Sequence, residues 1–133
     1  MPRRYHILVI DDDETILELI RETLSSDYDV STARDTLESV DMLLSQRFDL
    51  LIVDLGLPVV DGVELIQKIR DNSPFQHIPI LVVSAYPELR TRLANTDVQA
   101  ILPKPFTLDD LSRRVAETID HASGQVQRGS PKG

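Results

Sequence analysis

Short, almost wholly apolar runs alternate along the chain with segments whose apolar residues recur every three or four positions. The runs Ile7–Ile10, Leu50–Val53 and Ile80–Val83 are continuously apolar, as expected of strands covered on both faces. Asp29–Ala33 and Ala100–Leu102 complete a set of five predicted strands. A helical stripe follows each. Ile16, Leu17, Leu19, Ile20 and Leu24 form the first, and Leu37, Val40, Leu43 and Leu44 the second. Val63, Leu65, Ile66 and Ile69 form a third that should stop before Pro74. The fourth is weak, between Pro87 and about Asn95, with Leu89 and Leu93 as anchors. The fifth carries Leu108, Leu111, Val115 and Ile119 behind Thr107, a residue suited to cap the helix start. Five strand–helix pairs predict an α/β domain built on a parallel sheet with helices on both faces.

Composition narrows the possible functions. The chain has 133 residues, enough for one hydrophobic core, and carries 22 acidic against 14 basic side chains, a formal net charge of -8. An acidic surface repels phosphate backbones, so nucleic-acid binding by this domain alone is not expected. No apolar run approaches the roughly 20 residues that span a bilayer. Arg3 and Arg4 precede only a short apolar stretch that runs into four acids, unlike a signal peptide, and a cytoplasmic location is expected. Without cysteine, disulfides, zinc–thiolate sites and thiol nucleophiles are excluded. The segment 123–133, SGQVQRGSPKG, is polar and without periodicity. It reads as a flexible tail or a truncated linker after a domain over residues 1–122.

In an open parallel sheet, sites form at the carboxyl ends of the strands. Asp11, Asp12, Asp13 and Glu14 follow the first strand, Asp54 the third, Ser84 the fourth and Lys104 the fifth. Converging carboxylates repel one another unless a cation or a proton neutralises them. With oxygen donors only, hard Mg2+ fits better than zinc. One of the carboxylates could then accept a phosphoryl group, with Lys104 neutralising one of its oxygens and Ser84 donating to another, a set nearly complete for making an aspartyl phosphate. Each residue alone has a plainer explanation: an acidic helix start for Asp11–Glu14, a turn former for Asp54, a strand end for Ser84, a surface lysine for Lys104. Their arrival at four strand ends of one short domain favours a joint role.

From Ile7 to about Ala122 the sequence resembles the receiver domain of bacterial response regulators. The resemblance rests on the pair Asp11 and Asp12, on Asp54 in LLIVDLGLPVVDG, on Ser84 in VVSA and on Lys104 in KPF. It implies a doubly wound, flavodoxin-like sheet of strand order 2-1-3-4-5 with five helices, and a cis peptide between Lys104 and Pro105. Asp54 is implied as phosphoacceptor. Asp12 and Asp54 are implied as direct Mg2+ ligands, with Asp11 acting mainly through water and the Gly56 carbonyl as a backbone ligand. The phosphoryl group would come from a histidine kinase or a histidine phosphotransfer protein in a phosphorelay. The domain would catalyse only its own phosphorylation and dephosphorylation, and would not otherwise be an enzyme. Movement of Ser84 and Lys104 would switch the face made by the fourth helix, fifth strand and fifth helix, which could bind an effector or a second copy.

Two alternatives use the same residues differently. A haloacid-dehalogenase-like phosphatase would take Asp11 as nucleophile and Asp13 as general acid, with Thr15 completing D-x-D-x-T, but leaves Asp54 and its loop unexplained. A silent interaction module would keep the site without using it. A flavin site is disfavoured, because the first strand opens onto carboxylates in place of phosphate-holding amides and hydroxyls. His6, His77 and His121 are expected in solvent-exposed structural roles.

The sequence departs from the family pattern at three points. Ser84 stands where Thr is commoner, and Ile101 occupies the position of the aromatic switch residue. Gly56 replaces a larger side chain two residues after Asp54, which opens a path for water toward an acyl phosphate, subject to what Tyr86 covers. Replacing Gly56 with Met is therefore expected to slow loss of the phosphoryl group, read as the half-life of the labelled protein after donor removal.

Overall fold

A computed structural model describes residues 4–55, 59–71, 73–85, 93 and 97–132. Strands β1 (His6–Ile10), β2 (Asp29–Ala33), β3 (Leu50–Asp54), β4 (Ile80–Ser84) and β5 (Ala100–Pro103) form one sheet in the order β2-β1-β3-β4-β5. Every pairing is parallel. The expected strand order therefore holds. In register, Ile7 faces Val30 on one side and Leu50 on the other, and Val53 faces Val82.

The continuous apolar runs are explained by coverage on both faces. Leu8, Ile10, Leu51, Val53, Ile80 and Val82 point to one layer, packed with Leu43 of α2 (Thr36–Ser45) and with Val63, Leu65, Ile66 and Ile69 of α3 (Val59–Asp71). Ile7, Val9, Leu50, Ile52, Leu81 and Val83 point to the other. There they meet Leu17, Ile20 and Leu24 of α1 (Glu14–Leu24) and Leu111, Val115 and Ile119 of α4 (Leu108–Lys132). The edge strands β2 and β5 are only partly covered, which is why their sequences are less apolar.

Local chemistry sets the helix starts. Asp13 caps α1, its Oδ1 accepting from the amides of Thr15 at 2.9 Å and Ile16 at 3.4 Å. Asp35 caps α2 by accepting from the Glu38 amide at 2.8 Å. At α4 the Thr107 hydroxyl accepts from the Asp110 amide at 3.0 Å, while the Asp110 carboxylate accepts from the Thr107 amide at 3.1 Å. This reciprocal box confirms Thr107 as the cap and holds the Asp110 carboxyl below its ordinary range. Arg70, near the end of α3, donates to the carbonyls of Phe75, Gln76 and Asp97 and to the Gln99 side chain. It thereby fastens the approach to β4 and the approach to β5 to one helix.

Three further expectations meet the described residues in part. Four α-helices and a short 3-10 turn (Ser73–Phe75) are described where five helices were predicted. The fourth predicted helix lies outside the described residues except for Leu93, which is helical and buried in the core. The last helix continues to Lys132, through the segment read as an irregular tail. Extending an existing helix avoids the cost of nucleation, so weak formers such as Gly124 and Gly129 can follow a strong start. Lastly, His6 is half-buried: its Nε2 and the Ser31 hydroxyl are 2.8 Å apart, and its ring packs 4.3 Å from that of Phe48. His77 and His121 are exposed as expected.

Ile52 is completely buried in the centre of the sheet. Ile52→Ala is expected to cost about 3–4 kcal/mol in urea unfolding through the cavity it leaves. Leu37→Ala, on a side chain 73% exposed, should change stability by less than about 0.5 kcal/mol.

Candidate functional site

The strand order puts the reversal of chain direction between β1 and β3. The connection after β1 leaves toward β2 and that after β3 toward β4, so the carboxyl ends of these two central strands flank a crevice. Asp11 is the first residue beyond β1 and Asp54 the last of β3. Both are buried. The backbone positions them: the Asp11 amide donates to the Ala33 carbonyl at 3.1 Å, and the Leu55 amide after Asp54 donates to the Val83 carbonyl at 2.8 Å. The Asp11 Oδ1 accepts from the Asp13 amide at 3.1 Å.

Lys104 enters from β5. Its amide donates to the Ser84 carbonyl at 2.8 Å, which ties the ends of β4 and β5 together, and the Lys104–Pro105 peptide is cis as expected. Its Nζ lies 2.9 Å from Asp54 Oδ2. This is a charge contact without the alignment of a hydrogen bond, and neither Asp54 oxygen has a hydrogen-bond partner. A buried carboxylate left this way is costly in an ordinary core. Lys104 remains 27% exposed, at the mouth, while the Asp54 side chain is shut off from solvent.

The pair Asp11 and Asp54 carries the electrostatic strain. Burial pushes the Asp11 carboxyl up to about 8, and the neighbouring Asp54 and Asp12 push the same way against the Asp13 amide. Ser84 is buried beside them at the end of β4. The structure thus brings Asp11, Asp54, Ser84 and Lys104 to one strand edge. Asp12 is exposed, and among the described residues no three acidic or histidine side chains form a ready metal cage. Gly56 and Tyr86 lie outside the described residues. Asp13 caps α1 through its Oδ1, a plain structural use for the residue that the phosphatase alternative takes as general acid. Ile101 packs as a partly buried residue against the core, and its carbonyl accepts from the Arg114 guanidinium at 3.0 Å. No chain pattern announced that Arg114 contact, since it depends on where α4 lands.

Because burial raises the Asp11 carboxyl from its ordinary 3.8 to about 8 in the folded protein, this group's contribution to stability falls as pH rises from about 4 to about 8. In buffer containing a chelator, Asp11→Asn is expected to match the parent near pH 4. It should exceed it in Tm at pH 8, by about 4 °C for each kcal/mol of repulsion removed in a domain of this size.

A family model for the response regulator receiver domain matches residues 7–116. The chain is 39% identical over 112 residues to the response regulator MprA of Mycobacterium tuberculosis, covering 82% of this chain and 48% of MprA. It is 40% identical over 115 residues to the sensor histidine kinase TmoS of Ectopseudomonas mendocina, covering 85% of this chain and 12% of TmoS. The chain thus spans about half or less of these relatives. Among solved structures, the chemotaxis protein CheY4 of Vibrio cholerae aligns with a TM-score of 0.80 at 28% identity, over 87% of this chain and 99% of that one. The response regulator TrrA of Thermotoga maritima, solved in complex with Mg2+ and BeF, aligns with a TM-score of 0.74 at 30% identity, over 86% and 98%. With the fold, the crevice and the family model in agreement, the chain belongs to the receiver domains of response regulators, the signalling domains of two-component systems that are phosphorylated on an aspartate.

Proposed function

We propose that this domain accepts a phosphoryl group on Asp54 from the phosphohistidine of a histidine kinase or phosphotransfer protein, in a Mg2+-dependent reaction. The observation that carries this reading is the buried Asp54 carboxylate at the crevice, without a hydrogen-bond partner and 2.9 Å from the Lys104 ammonium. An Asp54 oxygen attacks phosphorus, the P–N bond to the donor imidazole breaks, and its electron pair stays on that nitrogen. The product is an acyl phosphate. Lys104 moves from the carboxylate to a phosphoryl oxygen, keeping its charge against the same negative centre. The Ser84 hydroxyl donates to a further oxygen.

The donor set fits Mg2+. Such an ion takes one or two carboxylates and keeps several waters, so no closed cage is required. Asp11, Asp12, Asp54 and the Gly56 carbonyl would hold it. When bound, it supplies neutralisation of the buried acids and of the charge on the transferring group.

The Lys104–Ser84 backbone link supports a switch that reads the phosphoryl state at the ends of β4 and β5. With Ile101 replacing an aromatic switch residue, the response would pass through backbone and packing. The readout surface would be the face of the fourth predicted helix, β5 and α4, open to an effector or a second copy. The domain proper would end near Ala122. Its work would be cytoplasmic signalling, with no chemistry beyond forming and losing its own phosphoryl group; among the described residues no helix is long and apolar enough to cross a membrane.

Incubation with acetyl phosphate and Mg2+, followed by trapping and peptide mapping, is expected to place the label on Asp54. Asp54→Asn should abolish it. Label on Asp11 would instead revive phosphatase chemistry, and no label at all would favour a silent interaction module.

A further inference from the structure

Five residues directly follow the five strands: Asp11, Arg34, Leu55, Ala85 and Lys104. Two are cationic. Lys104 is engaged with Asp54, and Arg34 has no part in the chemistry described above.

The backbone of Arg34 is fixed and its head is not. Its amide donates to the Glu38 carboxylate at 2.7 Å, at the capped start of α2. The preceding residue, Ala33, accepts from the Asp11 amide. Parallel strands lie about 4.8 Å apart, so the end of β2 stands about one spacing from Asp11 and about two from Asp54. From there the guanidinium reaches over the rim, where Nη1 lies 3.3 Å from Glu14 Oε1, with side chains 58% and 76% exposed. An exposed ion pair of this kind contributes little and is easily exchanged for a better partner.

Lys104, the other cation that directly follows a strand, is already held against Asp54, so the outer rim of the edge is mostly acidic. Asp11, Asp12, Asp13 and Glu14 follow β1, and Asp54 ends β3. A phosphoryl donor arrives with its own negative charge, and each acid raises the barrier to its entry. A guanidinium matches two phosphate oxygens with two parallel donors, a geometry one Glu14 contact does not use.

We propose that Arg34 is a donor-binding residue that leaves Glu14 to take the oxygens of the incoming phosphoryl group and guides it past the acidic rim to Asp54. This rests on Asp54 being the acceptor. With acetyl phosphate the step is attack of an Asp54 oxygen on phosphorus, with acetate leaving on the electron pair of the broken P–O bond. Arg34 acts on encounter and positioning, and the finished acyl phosphate is held by Ser84 and Lys104.

The test follows formation of the phosphorylated protein by intact mass, with acetyl phosphate and Mg2+ at low ionic strength. Arg34→Ala is expected to lower kcat/KM about three- to tenfold through a higher KM, the size of effect a rim charge has on steering. Half-molar salt should shrink the difference to less than about twofold. Arg34→Lys should recover most of the loss, Glu14→Gln should lower KM, and the decay rate of the phosphorylated protein should be unchanged in all three. The proposal is overturned if Arg34→Ala matches the parent at low salt, or if its deficit persists in high salt and lysine fails to restore it. Asp54→Asn separates the two readings. Persistent labelling of that variant defeats Asp54 as acceptor, whereas lost labelling together with a normal Arg34→Ala defeats only the role of Arg34.

Discussion

Two carboxylates held out of water beside one another, Asp11 and Asp54, are the constraint to which the rest of the structure answers. Both are buried at the crevice between β1 and β3. Burial and mutual repulsion raise the cost of charging Asp11. The Asp13 amide offsets only part of that cost, while the Lys104 ammonium lies against Asp54. The remainder is tolerable because β1, β3 and β4 are packed on both faces and hold the backbone of the site in place. What stays unsatisfied is the Asp54 carboxylate, neither of whose oxygens has a hydrogen-bond partner.

The same packing gives the site a route outward. Ser84 and Lys104 end adjacent strands and share a backbone hydrogen bond, so a change at one is felt by the other. Within β5, Ile101 and Leu102 lead into the two core layers, and Arg114 of α4 is anchored on the Ile101 carbonyl. Arg70 fixes the opposite ends of β4 and β5 to α3. The two strands are therefore held at one end by Arg70 and joined at the other by the Lys104–Ser84 hydrogen bond.

Much of this was legible along the chain, for identifiable reasons. Strands buried on both faces cannot carry polar residues, so β1, β3 and β4 declared themselves as unbroken apolar runs. Caps are local chemistry, and Thr107 was readable because its partner, Asp110, stands three residues on. The limits were equally physical. The end of the last helix was not legible, since Gly and Ser weaken a helix without excluding its extension. His6 looked free because its partners Ser31 and Phe48 arrive from other segments. Arg34 drew no notice because an arginine after an edge strand resembles any surface charge until the neighbouring acids are placed.

The sequence by itself determined the class of fold, the residues at the strand ends and, through the absence of cysteine and the excess of acids, the kind of chemistry those ends can perform. Residue type and short-range periodicity are enough for that, because strand burial and helix capping act over a few positions. Only the tertiary structure decided which strand ends meet. Asp11, Asp54 and Lys104 belong to distant parts of the chain, and their separation is set by strand order and register, which come from packing two layers of helices against one sheet. The tertiary structure also decided that Asp54 is left without a hydrogen bond and that Asp12 faces outward. Those outcomes depend on what surrounds each side chain in three dimensions, and no spacing along the chain encodes them.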